Sequence, residues 1–184
     1  TKIIINGVGL DGLASPDMNL DLGNSGTSMR LLAGLLSGQS FDTTLVGDKS
    51  LTSRPMKRII YPLSLMGAKI QSHKGFPPLT IKAVRHLKPI NYEIPIASAQ
   101  VKSAILFSTL YAKGSSVIKE KNITRDHTEK MFSLMGISMM KKEGLITIKG
   151  KQTPKASSID IPADLSSASF FIVAALISKN SELL

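Results

Sequence analysis

The sequence predicts an α/β protein built from repeated βαβαββ units with buried, parallel helices. The first indication is a segment of small residues that opens an apolar helix, found at 24–30, 98–103 and 164–169. The second is the tetrapeptide SLMG, which occurs at 64–67 and again at 133–136. The third is the order of the predicted strands and helices, which repeats after about 70 residues, too long a period for a simple solenoid.

The first predicted unit opens with a strand over residues 1–8, a β-branched apolar run. A helix over 25–36 follows, capped by Asn24 or Ser25 and closed near Gly38. The remaining elements are a strand at 41–46, a loop at 47–54, a helix at 55–66 that starts with proline and ends before glycine, and strands at 68–72 and 79–83.

A second unit has the same order. Its elements are strands at 91–94 and 116–120, helices at 100–111 and 126–134, and a hairpin of strands at 137–141 and 145–149. Gly144 supplies the hairpin turn. A third copy begins with a strand at 158–161 and a helix at 166–177.

Three helical segments, 31–36, 104–110 and 170–177, are apolar almost all round. Such helices are buried rather than amphipathic, so we expect them in a shared core. Parallel copies would bring their N-termini to a common place. Because the first N–H groups of a helix lack intrahelical partners and the helix dipole is positive there, this place would attract anions.

Composition narrows the possible functions. The 184 residues are 42% apolar and 20% charged, an ordinary globular balance, and the net charge of +10 favours anionic partners. Nucleic acid is not the expected partner, because aromatic residues are only 5% and no helix-turn-helix, zinc-finger or RNP pattern is present. No apolar run reaches the roughly 20 residues of a membrane span, so no membrane partner is expected.

The absence of cysteine excludes disulfides and thiolate metal sites and fits a cytoplasmic protein. His127 and Glu129 have no second ligand cluster, so no metal is expected. The chain does not begin with Met, it opens on a predicted strand and it ends just past a helix. We therefore expect it to be a fragment of a longer protein.

Several helix starts carry candidate binding residues, each with a structural alternative. Gly26 would let a ligand approach the backbone, or it is a tolerated glycine in a capped helix. Arg54, before a proline-started helix, could clamp a carboxylate or phosphate bidentately, or it is a surface arginine. Ser98 and Gln100 offer polar groups at one helix start, for which ordinary capping is the alternative.

Three acidic residues are explained by capping alone. Asp126 is followed three residues later by Glu129, which resembles a capping box. Asp164 precedes small residues and is a typical N-cap. Each structural alternative is reasonable in isolation, but the segments recur in register and all favour anions.

Five segments together carry a family resemblance. They are GNSGTSMR at 23–30, GDKSLTSRPM at 47–56, SAQVKS at 98–103, TRDHTEKM at 124–131 and DIPADLSSA at 160–168. In this order they resemble the 5-enolpyruvylshikimate-3-phosphate synthases, over nearly the whole chain. The resemblance implies part of a larger enzyme with two domains, each an inside-out barrel of three βαβαββ units with helices inside and mixed sheets outside.

Within that architecture, residues 1–160 resemble the last two units of the first domain, which is therefore incomplete. Residues 161–184 resemble the crossing into the second domain and its first helix. The implied reaction transfers the enolpyruvyl group of phosphoenolpyruvate to the 5-hydroxyl of shikimate 3-phosphate and releases phosphate. Both substrates are small polyanions, and the family uses no cofactor.

The resemblance also implies site residues. Shikimate 3-phosphate would be held by Ser98, Ala99, Gln100 and Arg125, and phosphoenolpyruvate by Gly26, Arg54 and Gln100. Weaker candidates are Asn24, Thr27, Arg30 and Asp164. A Cβ at residue 26 would crowd phosphoenolpyruvate or a competing anion such as glyphosate.

This sequence departs from the family pattern in several ways. It lacks the early Lys-Ser-Arg motif, the later acid and base residues and the C-terminal phosphate clamps, and Leu31 replaces a common proline. The chain should therefore contain no catalytic residue and be inactive alone, depending on the missing remainder of the enzyme. One alternative is a UDP-N-acetylglucosamine enolpyruvyl transferase, although its usual cysteine is missing. The other is a non-catalytic anion- or RNA-binding βαβαββ module.

Overall fold

Residues 2–183 are described in a computed structural model. They contain two four-stranded sheets. Each sheet and the helices that belong to it are formed by one continuous segment of the chain. The first unit consists of β1 (Leu20–Asp21), α1 (Gly26–Leu36), β2 (Thr43–Val46), α2 (Lys49–Thr52), α3 (Lys57–Leu65), β3 (Lys69–His73) and β4 (Phe76–Lys82). The second consists of β5 (Asn91–Ile94), α4 (Ala99–Thr109), β6 (Ser115–Glu120), α5 (His127–Leu134), β7 (Met139–Lys142) and β8 (Leu145–Lys149).

The two sheets share one topology, which confirms the predicted repeat. Their strand orders are β1-β2-β4-β3 and β5-β6-β8-β7. In each sheet the first two strands are parallel, and the remaining pairs are antiparallel. A helix connects each parallel pair, as such a crossover requires.

Helices α1 and α4 lie side by side in the core and run parallel. Gln100, at the start of α4, donates to Thr27 Oγ1 at the start of α1. Farther along both helices, Ser108 Oγ donates to the carbonyl oxygen of Gly34 at 2.7 Å. Close approach is possible here because Gly34 has no side chain, since a Cβ would lie 2.2 Å from the Ala104 carbonyl oxygen. The predicted parallel helix pair is therefore confirmed.

The strand predicted over residues 1–8 is wrong for the described residues 2–8, which form neither strand nor helix. The first strand of this unit is instead the short β1, which pairs with β2. The β-branched run at 3–5 has high strand propensity, but propensity cannot form a strand without a neighbour, and Ile5 is 85% exposed. The strand predicted at 158–161 is absent for the same reason.

The third helix, α6 (Leu165–Ile177), forms where predicted but is not buried. None of its residues is buried, and Phe170 is 81% exposed. An apolar helix is buried only if another apolar surface covers it, and no other element of residues 2–183 does so for α6.

Local details of three other helices also differ from the predictions. Helix α3 begins at Lys57, so Pro55 lies before the helix rather than at its first position. The predicted loop at 47–54 contains the short helix α2, capped by Asp48. The predicted capping box of α5 is wrong, because Asp126 makes no side-chain capping bond and Glu129 is turned into the core.

Within the described range, no helix combines the length and the apolar character that crossing a bilayer would require.

Candidate anion site at the helix N-termini

The start of α1 is shaped by its cap. Ser25 has extended backbone angles, and its hydroxyl accepts a hydrogen bond from the Ser28 N–H at 3.1 Å. The helix therefore begins at Gly26, which is buried although the neighbouring Thr27 is exposed. Sequence reasoning offered Asn24 or Ser25 as the cap, and the structure assigns this role to Ser25.

Asn24 is thereby free to join a different network, which orients Arg54. The Asn24 carbonyl oxygen accepts a hydrogen bond from Arg54 Nη2 at 2.7 Å. Its amide nitrogen donates to Asp48 Oδ2 at 2.8 Å. The other oxygen of Asp48 accepts from the Leu51 N–H at 2.7 Å and so caps α2. Asp48 thus connects the helix cap to the guanidinium through one intervening amide.

Gln100 connects the two parallel helices at this point. Its amide nitrogen donates to Thr27 Oγ1 at 2.7 Å, and its carbonyl oxygen accepts from Arg30 Nη1. Both partners of Gln100 in α1, the acceptor Thr27 and the donor Arg30, lie within the first five residues of that helix. The side chain of Gln100 therefore fixes the distance between the first turns of α1 and α4.

Gly26 lies beneath two guanidinium groups. A Cβ built on Gly26 would be 3.1 Å from Arg30 Nη1 and 3.2 Å from Arg54 Nη1. The missing side chain therefore makes room for the two arginines, whereas sequence reasoning considered the approach of a ligand or a tolerated glycine in a capped helix. We call Asn24, Gly26, Thr27, Arg30, Arg54 and Gln100 the Gly26 cluster.

The Gly26 cluster concentrates positive charge. Partial burial of the Arg30 guanidinium, followed by the nearby charges of Arg54 and Arg58, lowers the pKa of Arg30. Within residues 2–183, none of these three arginines forms an ion pair with a carboxylate. Guanidinium groups without an acidic partner next to a helix N-terminus favour an anionic ligand.

The start of α4 offers further polar groups. Ser98 is its N-cap, and the Ser98 hydroxyl accepts from the Val101 N–H at 3.3 Å. Ala99 and Gln100 are the first two helical residues, and both are half-buried. The capping interpretation of Ser98 is therefore correct. Because Gln100 belongs both to α4 and to the Gly26 cluster, the start of α4 lies beside that cluster.

Arg125 and Asp164 lie apart from the Gly26 cluster. Arg125 is exposed on the connection between β6 and α5. Asp164 caps α6 and accepts hydrogen bonds from Ser166 N at 3.0 Å and Ser167 N at 3.2 Å. The hydroxyl of Ser167 contributes most to lowering the pKa of Asp164, and the positive charge of Arg125 adds a smaller contribution. The described contacts do not connect either residue to the Gly26 cluster.

Sequence reasoning missed three residues that shape this region. Asp48 lies in the segment GDKSLTSRPM at 47–56, and its spacing from Leu51 is that of an N-cap. Arg58 comes four residues after Arg54, and this closeness of two arginines is visible in the sequence. Lys102 lies in the apolar helix α4 and is almost completely buried, which its sequence position alone could only suggest.

This fold and this cluster define a class: an α/β protein of βαβαββ units in which two arginines lie over the N-terminus of one of two parallel helices. The whole chain, residues 1–184, matches the family described as EPSP synthase (3-phosphoshikimate 1-carboxyvinyltransferase). The chain belongs to this family, which confirms the resemblance.

Similar proteins include two named 3-phosphoshikimate 1-carboxyvinyltransferase. The one from Alkalilimnicola ehrlichii is 52% identical over 183 residues, covering 99% of this chain and 41% of the relative. The one from Streptococcus pyogenes serotype M49 is 50% identical, covering 100% and 43%. The solved EPSP synthase of Acinetobacter baumannii is similar with a TM-score of 0.85 and 48% identity, covering 92% of this chain and 38% of that chain. The chain thus spans about two fifths of the length of its curated relatives.

Proposed function

We propose that this chain supplies the first-domain part of the substrate site of an enzyme that transfers the enolpyruvyl group of phosphoenolpyruvate to the 5-hydroxyl of shikimate 3-phosphate, releasing phosphate. The observation that carries the proposal is the Gly26 cluster, in which Arg30 and Arg54 lie over a helix N-terminus without an acidic partner among residues 2–183. Family membership supports the choice of phosphoenolpyruvate and shikimate 3-phosphate as the anions.

Phosphoenolpyruvate would bind at the Gly26 cluster. Its phosphate and carboxylate are planar or tetrahedral oxyanions that a guanidinium recognises through two parallel hydrogen bonds. A hydrogen bond to Asn24 orients Arg54 for this role, and a hydrogen bond to Gln100 orients Arg30. Thr27 adds an exposed hydroxyl at the same edge.

Shikimate 3-phosphate would bind at the start of α4. Ser98, the backbone of Ala99 and Gln100 would contact it, and Arg125 would approach from the connection before α5. Gln100 would then touch both substrates, because it belongs to the start of α4 and to the Gly26 cluster. This shared contact would set the separation of the two ligands and so contribute orientation to the transfer.

The transfer itself needs groups that the Gly26 cluster does not contain. A proton is added to the methylene carbon of the enolpyruvyl group and later removed from it, which requires a positioned acid and base. No residue of the Gly26 cluster is a carboxylate, a histidine or a lysine. We therefore propose that residues 1–160 form part of the first domain and that residues 161–184 lead into the second. The acid and base of the proton transfer would lie in the part of the enzyme that the relatives contain in addition. The 184-residue chain alone should release no phosphate.

A ¹⁵N NMR titration of the 184-residue chain with shikimate 3-phosphate tests this proposal, with inorganic phosphate as the control ligand. The expected result is shift changes at Ser98, Gln100 and Arg125 that exceed those caused by phosphate. Arg125→Ala should weaken binding, whereas Arg85→Ala, which removes an exposed arginine elsewhere, should not. Identical responses to the two ligands would reject the assignment of these residues to shikimate 3-phosphate.

A further inference from the structure

Lys102 is a buried cation in the first turns of α4. Its side chain is 1% exposed, and lysine is almost never buried to this degree unless it is paired. Lys102 Nζ lies 2.9 Å from Glu120 Oε2 and 2.8 Å from Glu129 Oε1. These partners come from two other elements, the end of β6 and the first turn of α5.

The three residues form a buried ion cluster, and a contribution to the stability of the fold explains this cluster poorly. Both carboxylates are also buried, and two carboxylates around one ammonium leave a formal charge of −1. Within residues 2–183, Glu129 Oε2 has no hydrogen-bond partner. Since apolar side chains of similar volume are often as stabilising as a buried ion cluster, the geometry that the charges impose is the more informative property.

That geometry restrains Thr124, the residue before Arg125. Glu120 Oε1 accepts hydrogen bonds from the Thr124 N–H at 3.3 Å and from its hydroxyl. On the other side of the same residue, Lys102 Nζ donates to the Thr124 carbonyl oxygen at 3.5 Å. The backbone of Thr124 is therefore bound at both its N–H and its carbonyl group, although the surrounding connection is largely exposed.

We propose that Lys102 and Glu120 are positioning residues that hold Arg125 at a set distance from the start of α4. The carbonyl group of Thr124 belongs to the peptide unit shared with Arg125, and Lys102 is two residues from Gln100 in the same helix. A second contact, between Ser103 and Thr128 hydroxyls at 2.7 Å, ties α4 to α5 nearby. This inference rests on the proposed role of Arg125 as a contact of shikimate 3-phosphate.

Two isosteric variants separate positioning from simple support of the fold. Glu120→Gln and Glu129→Gln each remove one carboxylate charge and leave Lys102 with one anionic partner. In Glu120→Gln, the side chain keeps a single accepting oxygen, which can accept hydrogen bonds either from Lys102 or from Thr124. In Glu129→Gln, the amide nitrogen can occupy the position of the unpartnered oxygen, and the bonds of Thr124 remain.

The first measurement is the backbone order parameter of Thr124 and Arg125 in the ligand-free 184-residue chain. We expect Glu120→Gln to lower it to below about 0.6, the range of flexible backbone, and Glu129→Gln to leave it near the wild-type value. Unchanged order in Glu120→Gln, or equal loss in both variants, would overturn the proposal. If Glu120→Gln fails to fold, Thr124→Val takes its place. It removes the hydroxyl bond to Glu120 and keeps both backbone bonds, so it should lower the order by a smaller amount, and unchanged order in this variant would overturn the proposal.

The second measurement is the affinity for shikimate 3-phosphate, with inorganic phosphate for comparison. Glu120→Gln should weaken binding about tenfold, but less than twofold further when Arg125 is already alanine, because coupled residues are not additive. A full tenfold loss in the Arg125→Ala background would overturn the proposal. If the wild-type chain did not distinguish the two ligands, the proposed function would fail, whereas the order parameters would still decide whether Glu120 positions Arg125.

Discussion

Gly26 is the residue on which the geometry of the Gly26 cluster depends most directly. Alanine at this position would place a methyl group 3.1–3.2 Å from two guanidinium nitrogens, so the ends of Arg30 and Arg54 must move by a few tenths of an ångström. We expect Gly26→Ala to weaken phosphoenolpyruvate binding severalfold. The free energy of unfolding should stay the same or rise by up to about 1 kcal/mol, because alanine is the better helix former.

Calorimetric titration and chemical denaturation of the same variant test this expectation together. Gly7→Ala is a suitable control, because a Cβ on Gly7 would have no atom within 4 Å. Unchanged phosphoenolpyruvate affinity in Gly26→Ala would mean that the two guanidinium groups adjust without affecting the ligand.

Asp48 is the second residue whose role can be isolated. The backbone N–H of Leu51, and then the side chain of Asn24, lower the pKa of Asp48. A carboxylate with a lowered pKa in the folded state stabilises the protein above its unfolded pKa of about 3.9, and this contribution is lost as the pH falls through the folded value. The contribution is therefore present at neutral pH and disappears in acid.

We expect Asp48→Asn to keep the cap of α2 but to lose the bond from Asn24, because an amide has only one accepting oxygen. Arg54 would then lose its support through Asn24, so anion affinity should fall severalfold. The denaturation midpoint at neutral pH should fall only slightly, because the charge is lost but the cap is kept. Asp48→Ala should lower the affinity similarly and the midpoint further. Phosphoenolpyruvate titrations and denaturation curves at neutral pH and near pH 3 distinguish the two variants, and equal affinity in wild type and Asp48→Asn would refute the link to Arg54.

At the scale of elements, the contact between α1 and α4 depends on Gly34. A Cβ there would lie 2.2 Å from the Ala104 carbonyl oxygen and 2.7 Å from its Cα, and this backbone cannot rotate away. We expect Gly34→Ala to lower the free energy of unfolding by about 1–3 kcal/mol, the usual cost of overpacking, despite its better helix propensity. Gly26→Ala is the matched control in the same helix, since only flexible side chains face it. Urea denaturation that places both variants above wild type would contradict this view of the helix contact.

The elements that the sequence predicts correctly are those decided by local signals. The strands Asn91–Ile94 and Leu145–Lys149 and the starts of α1 and α4 agree within a residue, because periodicity, caps and turn glycines are all local. The strand expected over 1–8 failed because a strand needs a neighbour. Glu129 was assigned to a capping box because its spacing from Asp126 is local, whereas its contact with Lys102 bridges separate elements.

In the candidate site, too, local signals predict individual residues but do not predict contacts between distant segments. Gly26, Arg54 and Gln100 were predicted individually, and the structure brings them into one cluster. Their connection through Asn24 and Asp48, and the restraint of Thr124 by Lys102, depend on side-chain contacts between distant segments that no spacing rule encodes. The roles of Ser98, Ala99 and Arg125 toward a substrate stay predictions until binding is measured.

At the scale of the whole molecule, two paired units form the core, and α6 contributes none of its side chains to it. Phe170, Phe171 and Ile177 are each at least 66% exposed, which is an unusually apolar surface for an isolated chain.

We expect the 184-residue chain to self-associate, and sedimentation velocity should show that this association increases with protein concentration. Phe170→Ser combined with Phe171→Ser should abolish this association without changing the denaturation midpoint of the core. Tyr61→Ser, which removes an exposed aromatic ring from α3, should leave association unchanged. A wild-type chain that sediments as a monomer at every concentration would show that the exposed face of α6 does not mediate contacts between copies.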